Sequence, residues 1–332
     1  MTDYYVDGAV GNDANTGLAA GAGNAWATIQ HAASTIANND TVWVKASATY
    51  NETVTTVQGG VNQHKKFYGY ETTPGDDGKA TISGATNCVV ATSYTTWKNF
   101  VFTGASSNAV TGSTTDFQLY INCEFDNPGQ YGLWLDDYIG VWFCSFTGCT
   151  FAISANLATS VVGCTFDTCI TGQSGAANAN WYRNVFKNQA GTGIYDTHGG
   201  TYMTFIGNTI VGKSGSSDCQ GPAMSTTTSP GYICADNIFH SMTIGLPFPL
   251  NTAYYPMNYT GNNLMYDVTK PYTYGQTIGS GNAININGVT GDPLFTDLAT
   301  GDLTLTESSP ALDTGLTPLV VDPYSGDTIA VT

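Results

Sequence analysis

A short pattern of polar and apolar residues recurs along the middle of the chain. In each copy, an Asn or Cys is followed by one variable residue and then by a large apolar residue. Successive large residues lie 20 to 29 positions apart. A period of this length, without a helical repeat, is typical of one coil of a parallel β-solenoid. The copies are Phe100-Val101-Phe102, Cys123-Glu124-Phe125, Cys144-Ser145-Phe146, Cys164-Thr165-Phe166, Asn184-Val185-Phe186, Asn208-Thr209-Ile210, Asn237-Ile238-Phe239 and Asn263-Leu264-Met265.

In such a stack, equivalent residues of neighbouring coils lie about 4.8 Å apart, so each position of the repeat becomes a ladder. We predict that the Asn amides hydrogen-bond to the coils above and below, and that these Asn residues adopt the left-handed backbone of a tight bend. Small Cys side chains take the same position in three coils, and the large apolar residues fill the interior. The predicted ladder consists of Cys123, Cys144, Cys164, Asn184, Asn208, Asn237 and Asn263.

The two ends of the chain lack this repeat. Residues 26–37 have apolar residues at helical spacing and predict a short amphipathic helix. Such a helix can cover the exposed strand edges at the end of a solenoid. We therefore predict an all-β protein, a parallel β-helix over residues 1–290 with an N-terminal cap at about 1–45. Residues 291–332 are expected to form the C-terminal capping segment.

The eight cysteines have no zinc-binding spacing. Because several of them occupy repeated positions, we expect free, buried thiols that serve packing. A disulfide between Cys149 and Cys169, which form a second column, stays open as an alternative.

Several further segments resemble the right-handed parallel β-helix (pectate-lyase-like) superfamily. The resemblance spans nearly the whole chain and implies the fold. It does not decide the function, because the superfamily includes lyases, hydrolases, epimerases, phage tailspikes and non-catalytic surface proteins. The similar segments are Tyr4-Tyr5-Val6-Asp7, Gly11-Asn12-Asp13, Thr16-Gly17, Ala27-Thr28-Ile29-Gln30, Gly69–Asp76, Ala80-Thr81-Ile82, Asp292-Pro293-Leu294-Phe295 and Ser309–Asp313.

Charge excludes some classes of partner. Charged residues make up 10% of the chain, nine Lys and Arg against 25 Asp and Glu, and Arg183 is the only arginine. A net charge of −16 argues against nucleic acids, which need clustered cations, and against anionic membrane surfaces. No apolar stretch is long enough for membrane insertion. An acidic chain is also a poor electrostatic partner for a polyuronate.

Two groups of residues are candidates for catalysis. Arg183, beside Lys187, is the nearest match to the basic residue of lyases with this fold. Asp136, Asp137, Asp196 and His198 are the nearest match to the carboxylates and Gly-His-Gly motif of polygalacturonase-type hydrolases. Thr precedes His198 where that motif has Gly, and no Arg-x-Lys motif follows. Surface ion pairs and turn-forming residues are the favoured explanation of both groups.

Binding residues are predicted among the large aromatics. Trp134, Trp181 and Tyr195 are candidates for stacking on sugar rings or for contact with another subunit. A loop rich in carboxylates and amides, formed by Asp7, Asn12, Asp13 and Asn15, is a candidate Ca²⁺ site, although Asx-turns explain the same residues. We expect no other cofactor.

The missing catalytic motifs favour a non-catalytic structural or glycan-binding protein exposed on a surface. The chain begins at the predicted cap without an export signal, which suggests a phage virion component such as a decoration, fibre or tailspike-like protein. The expected location is the virion or the extracellular space, with virion proteins or surface glycans as partners. The resemblance implies a homotrimer. The alternatives are a polysaccharide lyase or glycoside hydrolase with a groove along the β-helix, and a secreted adhesin.

Overall fold

Short parallel β-strands dominate the structure, which was obtained as a computed structural model. It describes residues 1–112, 116–169, 171–174, 179–196, 202–214, 219–224, 231–246, 258–272, 283–286, 288–312, 320–321 and 328–329. Residue contacts divide the chain into two units, residues 1–155 (unit 1) and 156–332 (unit 2). In each unit the strands stack in three parallel columns, so both units are β-solenoids. Within the described residues, no helix has the length and apolar character needed to cross a membrane.

The described residues of unit 1 form sixteen strands and one helix. The elements are β1 (Asp3–Val6), α1 (Ile29–Thr35), β2 (Thr41–Lys45), β3 (Thr49–Tyr50), β4 (Val54–Thr55), β5 (Lys65–Tyr70), β6 (Ala80–Ser83), β7 (Val89–Val90), β8 (Thr95–Lys98), β9 (Phe100–Thr103), β10 (Val110–Thr111), β11 (Asp116–Ile121), β12 (Glu124–Asp126), β13 (Tyr131–Trp134), β14 (Asp137–Trp142), β15 (Ser145–Thr147) and β16 (Phe151–Ser154). The first column is β1–β2–β5–β8–β11–β14. The second is β3–β6–β9–β12–β15, and the third is β4–β7–β10–β13–β16.

Unit 2 repeats this arrangement and then leaves it. Its strands are β17 (Leu157–Val162), β18 (Thr165–Asp167), β19 (Thr171–Ser174), β20 (Ala179–Tyr182), β21 (Val185–Gln189), β22 (Thr192–Asp196), β23 (Tyr202–Ile206), β24 (Thr209–Gly212), β25 (Gln220–Met224), β26 (Gly231–Ala235), β27 (Ile238–Leu246), β28 (Asn258–Gly261), β29 (Leu264–Tyr272), β30 (Ala283–Ile286), β31 (Phe295–Asp297), β32 (Asp302–Leu305), β33 (Val320–Val321) and β34 (Thr328–Ile329). The pairing is parallel up to β30. From β31 onward the strands pair antiparallel, in two hairpins.

The helix is shorter than the sequence pattern suggests. It begins after Thr28, whose hydroxyl accepts a hydrogen bond from the His31 N–H, and it ends at Thr35. Trp26 lies outside the helix because it forms a parallel bridge with Val6. Its indole stacks on the Tyr4 ring, with the ring centroids 4.8 Å apart. Backbone pairing with β1 therefore shortens the helix by about one turn at its N-terminal end.

Ring ladders fill the interior of each unit. In unit 1, Phe102, Phe125 and Phe146 stack with centroid separations of 5.2 and 4.5 Å. In unit 2, Phe166 and Phe186 stack at 4.6 Å. All five side chains are fully buried. Burial of one large apolar residue per coil, aromatic in most coils, supplies much of the hydrophobic stabilisation that holds the coils together.

An asparagine ladder lies beside the rings in unit 2. The Nδ2 of Asn184 donates to Asn208 Oδ1 at 2.9 Å, Asn208 Nδ2 donates to Asn237 Oδ1 at 3.1 Å, and Asn237 Nδ2 donates to Asn263 Oδ1 at 2.8 Å. Each accepting oxygen also receives the backbone N–H of the preceding Asn in the ladder. All four residues are buried. The amides therefore link successive coils through both backbone and side chain.

Cysteines take the equivalent positions in the coils of unit 1. The Cys144 sulfur accepts the backbone N–H of Cys123 at 3.3 Å, in the geometry that Asn has elsewhere. All eight cysteines are buried thiols that form no disulfide. Burial and the neighbouring Cys144 thiol raise the pKa of Cys123 well above its usual value. A thiol that resists ionisation in this way serves packing rather than nucleophilic chemistry.

The left-handed bend is one residue earlier than the sequence analysis placed it. None of the ladder residues has a positive φ; the residue before each of them does. That residue turns the chain so that the following side chain points inward along the stack. The prediction that Asn itself occupies the bend was therefore wrong. The bend residues are Asn122, Phe143, Gly163, Arg183, Gly207, Asp236 and Asn262.

Candidate functional site

Two carboxylates lie side by side in unit 1. Asp116 and Asp137 are the first residues of β11 and β14, and the two strands pair with these residues in register. Neighbouring strands of a sheet are about 4.8 Å apart, so one ligand can reach both side chains. Both residues are half-buried. The backbone N–H of Asp116 is held by the Ser93 hydroxyl at 3.0 Å, which fixes the start of β11.

A stack of aromatic rings lies one residue further along the same strands. The Tyr94 and Phe117 rings are 5.0 Å apart with an interplanar angle of 12°. The Phe117 and Tyr138 rings are 4.7 Å apart at 6°. Tyr94 is nearly buried at 8% exposure, Phe117 is half-buried, and Tyr138 is 43% exposed. The stack therefore leads outward and presents a ring to the solvent.

All three rings stand on left-handed backbone. The φ angles are 59° at Tyr94, 56° at Phe117 and 54° at Tyr138. Bulky residues in this region carry a backbone strain of roughly 1–2 kcal/mol each. Strain of this kind persists where the surrounding structure imposes it, and it is frequent at binding and catalytic sites. The bend turns each ring out of the solenoid, while the next residue, such as Gln118, points inward and is fully buried.

An exposed tryptophan lies at the same bend of the chain. Trp134 ends β13, three residues before Asp137, and is 44% exposed. Its ring lies 6.4 Å from that of Tyr131, which stacks on Phe151 at 4.9 Å. We refer to the residues that converge on this bend as the aromatic–acidic patch: Asp116, Phe117, Trp134, Asp137 and Tyr138.

The chemistry of this patch is that of a surface that recognises polar ring compounds. Aromatic faces supply apolar contact, and adjacent carboxylates accept hydrogen bonds from hydroxyl groups. Asp136, a candidate from the sequence, is half-buried at the same bend. Asp137 has Asp116 as its carboxylate neighbour, on the adjoining coil of its own unit.

Trp181 has a different location from the one expected of a binding residue. Its side chain is fully buried, and its ring packs against Phe166 and Phe186 at 5.6 and 5.7 Å. An external sugar or subunit cannot contact a ring with no exposed surface. We therefore correct the prediction that Trp181 is a binding residue and assign it to the interior of unit 2.

The predicted cationic pair belongs to one coil of unit 2. Arg183 is half-buried at the bend before the ladder, with φ +52°. Lys187, on β21, lies 4.0 Å from Asp167 Oδ2 on the preceding coil. In the described part of the chain, no carboxylate is within ion-pair distance of Arg183. The charge of Lys187 is partly balanced, so the two side chains do not form a strongly positive spot.

The other unit-2 candidates are described only in part. Tyr195 and Asp196 are the last two residues of β22, which pairs in parallel with β25. His198 lies outside the described residues.

The carboxylate oxygens of the N-terminal acidic loop accept hydrogen bonds from other residues of the protein. Asp13 accepts hydrogen bonds from the backbone N–H groups of Ala27 and Thr28 and from the Thr28 hydroxyl. Asp7 accepts the Ser47 hydroxyl at 2.6 Å and pairs with Lys45 at 3.4 Å. Within the described residues, no group of three or more His, Cys, Asp or Glu side chains is arranged to hold a metal ion. Asp7 Oδ1 and Asn12 Oδ1 also accept the backbone N–H groups of Ala9 and Ala14, two residues further on, as in Asx-turns.

Sequence reasoning missed Asp116, Phe117 and Tyr138, although a signal was present. Asp116 lies nine residues before Phe125, and Asp137 lies nine residues before Phe146. The same offset from the repeated Phe places them in one column. Alignment of the coils on that Phe, rather than a search for motifs, would have paired the carboxylates and the rings.

Similarity to known proteins lies in the fold. No protein-family model and no curated protein match the sequence. Among solved structures, a rhamnogalacturonan lyase is similar with a TM-score of 0.54 and 10% identity, over 94% of both chains. The pectate lyase Pel9A is similar at 0.40 and 13% identity, over 93% of this chain and 88% of that one. A pectin methylesterase from Aspergillus niger is similar with a TM-score of 0.38 and 14% identity, over 89% of this chain and 93% of that one.

At 10% identity, the likeness to the rhamnogalacturonan lyase concerns architecture and not chemistry. The stacked parallel columns of both units agree with it. By fold, this chain is a parallel β-helix similar to the rhamnogalacturonan lyase.

Proposed function

We propose that this protein binds glycans through the aromatic–acidic patch of unit 1. The observation that carries the proposal is the ring stack that ends in exposed Tyr138, beside the in-register pair Asp116 and Asp137. Pyranose rings have apolar faces and hydroxyl edges. An aromatic face flanked by hydrogen-bond acceptors is complementary to both. Exposed Trp134 at the same bend extends the apolar area.

Charge favours neutral glycans over polyuronates. Residues 1–155 contain thirteen Asp and Glu against five Lys. Three of these lysines already pair with carboxylates, in the contacts Lys45–Asp7, Lys79–Glu124 and Lys98–Asp77. A carboxylated sugar on this patch would face the carboxylates of Asp116 and Asp137. Like charges at such distances disfavour binding, so the ligand is expected to be uncharged.

The proposed setting is the surface of a phage virion or another extracellular surface, with the protein as a homotrimer. The support for this setting is the resemblance of the sequence to a superfamily that includes phage tailspikes, together with the missing catalytic motifs. Light scattering on the purified protein tests the trimer, and a monomer at all concentrations would contradict it.

We also propose that α1 caps the N-terminal end of the solenoid. Its buried residues Ile29, Ala32 and Ala33 face the protein, and the Glu52 carboxylate accepts the first free N–H groups of the helix. A variant that lacks residues 1–40 is expected to associate end to end through the uncovered strands.

Binding to an array of neutral and acidic polysaccharides, with and without Ca²⁺, tests the glycan proposal. Tyr138→Ala is expected to weaken binding of the best neutral ligand by about tenfold, because it removes the exposed ring of the stack. Phe143→Ala is a matched control. Phe143 is also aromatic, is 45% exposed and has a left-handed backbone with φ 55°, but it occupies the other bend of the coil.

An equal loss in both variants, or no bound glycan of any class, would overturn the proposal. A preference for polygalacturonate over neutral glycans would contradict the argument from charge but not the proposal that the patch binds glycans.

A glycoside hydrolase is the second candidate function. The observation that favours it is again the register of Asp116 with Asp137, because paired carboxylates can act as acid and base or nucleophile on a glycosidic bond. An assay for released reducing ends on the bound glycan separates the two functions. Release that is abolished in Asp116→Asn and Asp137→Asn identifies a hydrolase, whereas binding without release identifies a lectin-like protein.

A further inference from the structure

Unit 2 contains a cavity that is separate from the aromatic–acidic patch. Its volume is about 360 Å³, within the range of small-molecule sites. The wall consists of bend residues from successive coils, including Asn188, Ser241 and Asp267, together with Leu298 from the C-terminal segment. The C-terminal hairpin is anchored here, since the Phe295 ring lies 5.7 Å from that of His240.

The polar groups of the wall are held in place by hydrogen bonds. The Ser241 hydroxyl lies 2.8 Å from His240 Nδ1 and donates to Asp267 Oδ2 at 2.9 Å. Asn188 Nδ2 donates to Asp167 Oδ1 at 2.8 Å. Burial lowers the pKa of His240 and outweighs the opposite effect of the nearby carboxylates, which favours a neutral imidazole at pH 7. The hydrogen bond between Ser241 and Asp267 restrains both side chains, so less side-chain entropy is lost when a ligand binds.

Asn188, Ser241 and Asp267 all have left-handed backbone. The φ angles are 53° at Asn188, 52° at Ser241 and 53° at Asp267. These residues each lie two positions after an interior residue of their coil, Phe186, Phe239 and Met265. The cavity therefore follows a repeated bend of the solenoid. Ser241 and Asp267 lie on neighbouring coils, whereas Gly212 takes the equivalent position in the coil between those of Asn188 and Ser241.

A lysine brings the opposite charge to the wall. Lys213 lines the cavity and is exposed, and within the described residues its ammonium group has no carboxylate at ion-pair distance. The cavity therefore contains a hydrogen-bond acceptor, the Asp267 carboxylate, and a hydrogen-bond donor, the Lys213 ammonium group. An anion is repelled by Asp267, and a cation is repelled by Lys213.

A neutral ligand with adjacent donor and acceptor groups fits these constraints. Vicinal hydroxyls of a pyranose can donate to a carboxylate and accept from an ammonium group at once. The apolar residues of the wall, Val211, Met242 and Leu298, match the apolar face of the ring. We propose that this cavity is a second saccharide site, which binds one pyranose unit of a neutral glycan through Asp267 and Lys213.

Titration with the methyl glycosides of glucose, galactose and mannose, followed by saturation-transfer NMR, tests this site on the full chain. At least one of them is expected to bind, and Asp267→Asn and Lys213→Gln are each expected to weaken it by about tenfold. Asn at position 267 still accepts the Ser241 hydroxyl, so the wall is preserved. Lys66→Gln, a change of the same charge in unit 1, is the control and is expected to bind as the unchanged protein does.

Other outcomes would overturn the proposal. The first is that no methyl glycoside binds, and the second is that Asp267→Asn, Lys213→Gln and Lys66→Gln weaken binding equally. The third is that galacturonate or glucosamine binds more tightly than the neutral sugars. Tyr138→Ala is expected to leave this binding unchanged. Failure of the patch in unit 1 and failure of the cavity in unit 2 are thus distinguishable.

Discussion

Asn208 gives the sharpest test of how the coils are held together. Its Nδ2 group donates to the carbonyl oxygens of Trp181 at 3.0 Å and Ile206 at 3.1 Å, and also to Asn237 Oδ1. Its Oδ1 accepts the backbone N–H of Asn184 at 2.8 Å. The side chain therefore satisfies backbone groups of its own coil and of the preceding coil. It is fully buried, so water cannot replace it.

The substitution Asn208→Ala removes these bonds and leaves the Asn184 N–H and a carbonyl group buried without their partner. One unpaired buried group costs about 1–3 kcal/mol. Two such groups lower the free energy of unfolding by about 2–6 kcal/mol in total. Asn208→Cys is expected to cost less, about 1–3 kcal/mol, because the thiol can accept one of these N–H groups. Cys144 does so for the Cys123 N–H in unit 1.

Guanidinium unfolding, followed by circular dichroism and tryptophan fluorescence, measures the loss. Hydrogen exchange locates it, since cooperativity in stacked repeats can be incomplete. Asn51→Ala, at an exposed asparagine, is the control and is expected to have little effect. The reasoning fails if Asn208→Ala stays within about 1 kcal/mol of the unchanged protein. It also fails if the Cys variant is as unstable as the Ala variant.

Two further predictions concern the N-terminal region. Gly17→Ala is expected to cost about 2–4 kcal/mol, because its φ is +73° and a Cβ atom would lie 2.4 Å from the Trp26 ring. Gly21→Ala, with φ +86° and open space around it, should cost less in the same unfolding assay. Burial raises the pKa of Asp7, but hydrogen bonds led by the one from Ser47 outweigh it and hold the pKa below 3.8. The Asp7 carboxylate therefore stabilises the protein above pH 3.8, and this stabilisation is lost as the pH falls below that value. The difference in the free energy of unfolding between the unchanged protein and Asp7→Asn should narrow from pH 5 to pH 3. A constant difference would contradict this.

Much of the fold could be predicted because its signals are local and repeated. One apolar residue and one Asn or Cys per 20 to 29 residues fit a coil that stacks on copies of itself. The columns through Phe125, Phe146 and Phe186 follow directly from that spacing. Each coil contributes the same interactions, so a wrong assignment of residues in one coil leaves the repeat recognisable in the others.

The candidate sites were predicted less well, because they depend on which coils are neighbours and on which side chains face outward. The sequence pattern grouped Asp137 with Asp196 and His198, which lie in a later part of the chain. The register instead places Asp137 beside Asp116. Trp134 and Trp181 look alike as sequence, yet one is 44% exposed and the other is fully buried.

By itself, the sequence determined that this acidic chain forms stacked parallel coils with an interior of aromatic rings. It also determined that amide and thiol ladders accompany those rings, because stacking turns any repeated position into a column. Only the tertiary structure decided which residues meet on the surface. The physical reason is the left-handed bends, such as those at Tyr138 and Ser241, which interrupt the alternation of inward and outward side chains. Register and bend together, neither of which is visible in residue spacing alone, create the aromatic–acidic patch and the cavity of unit 2.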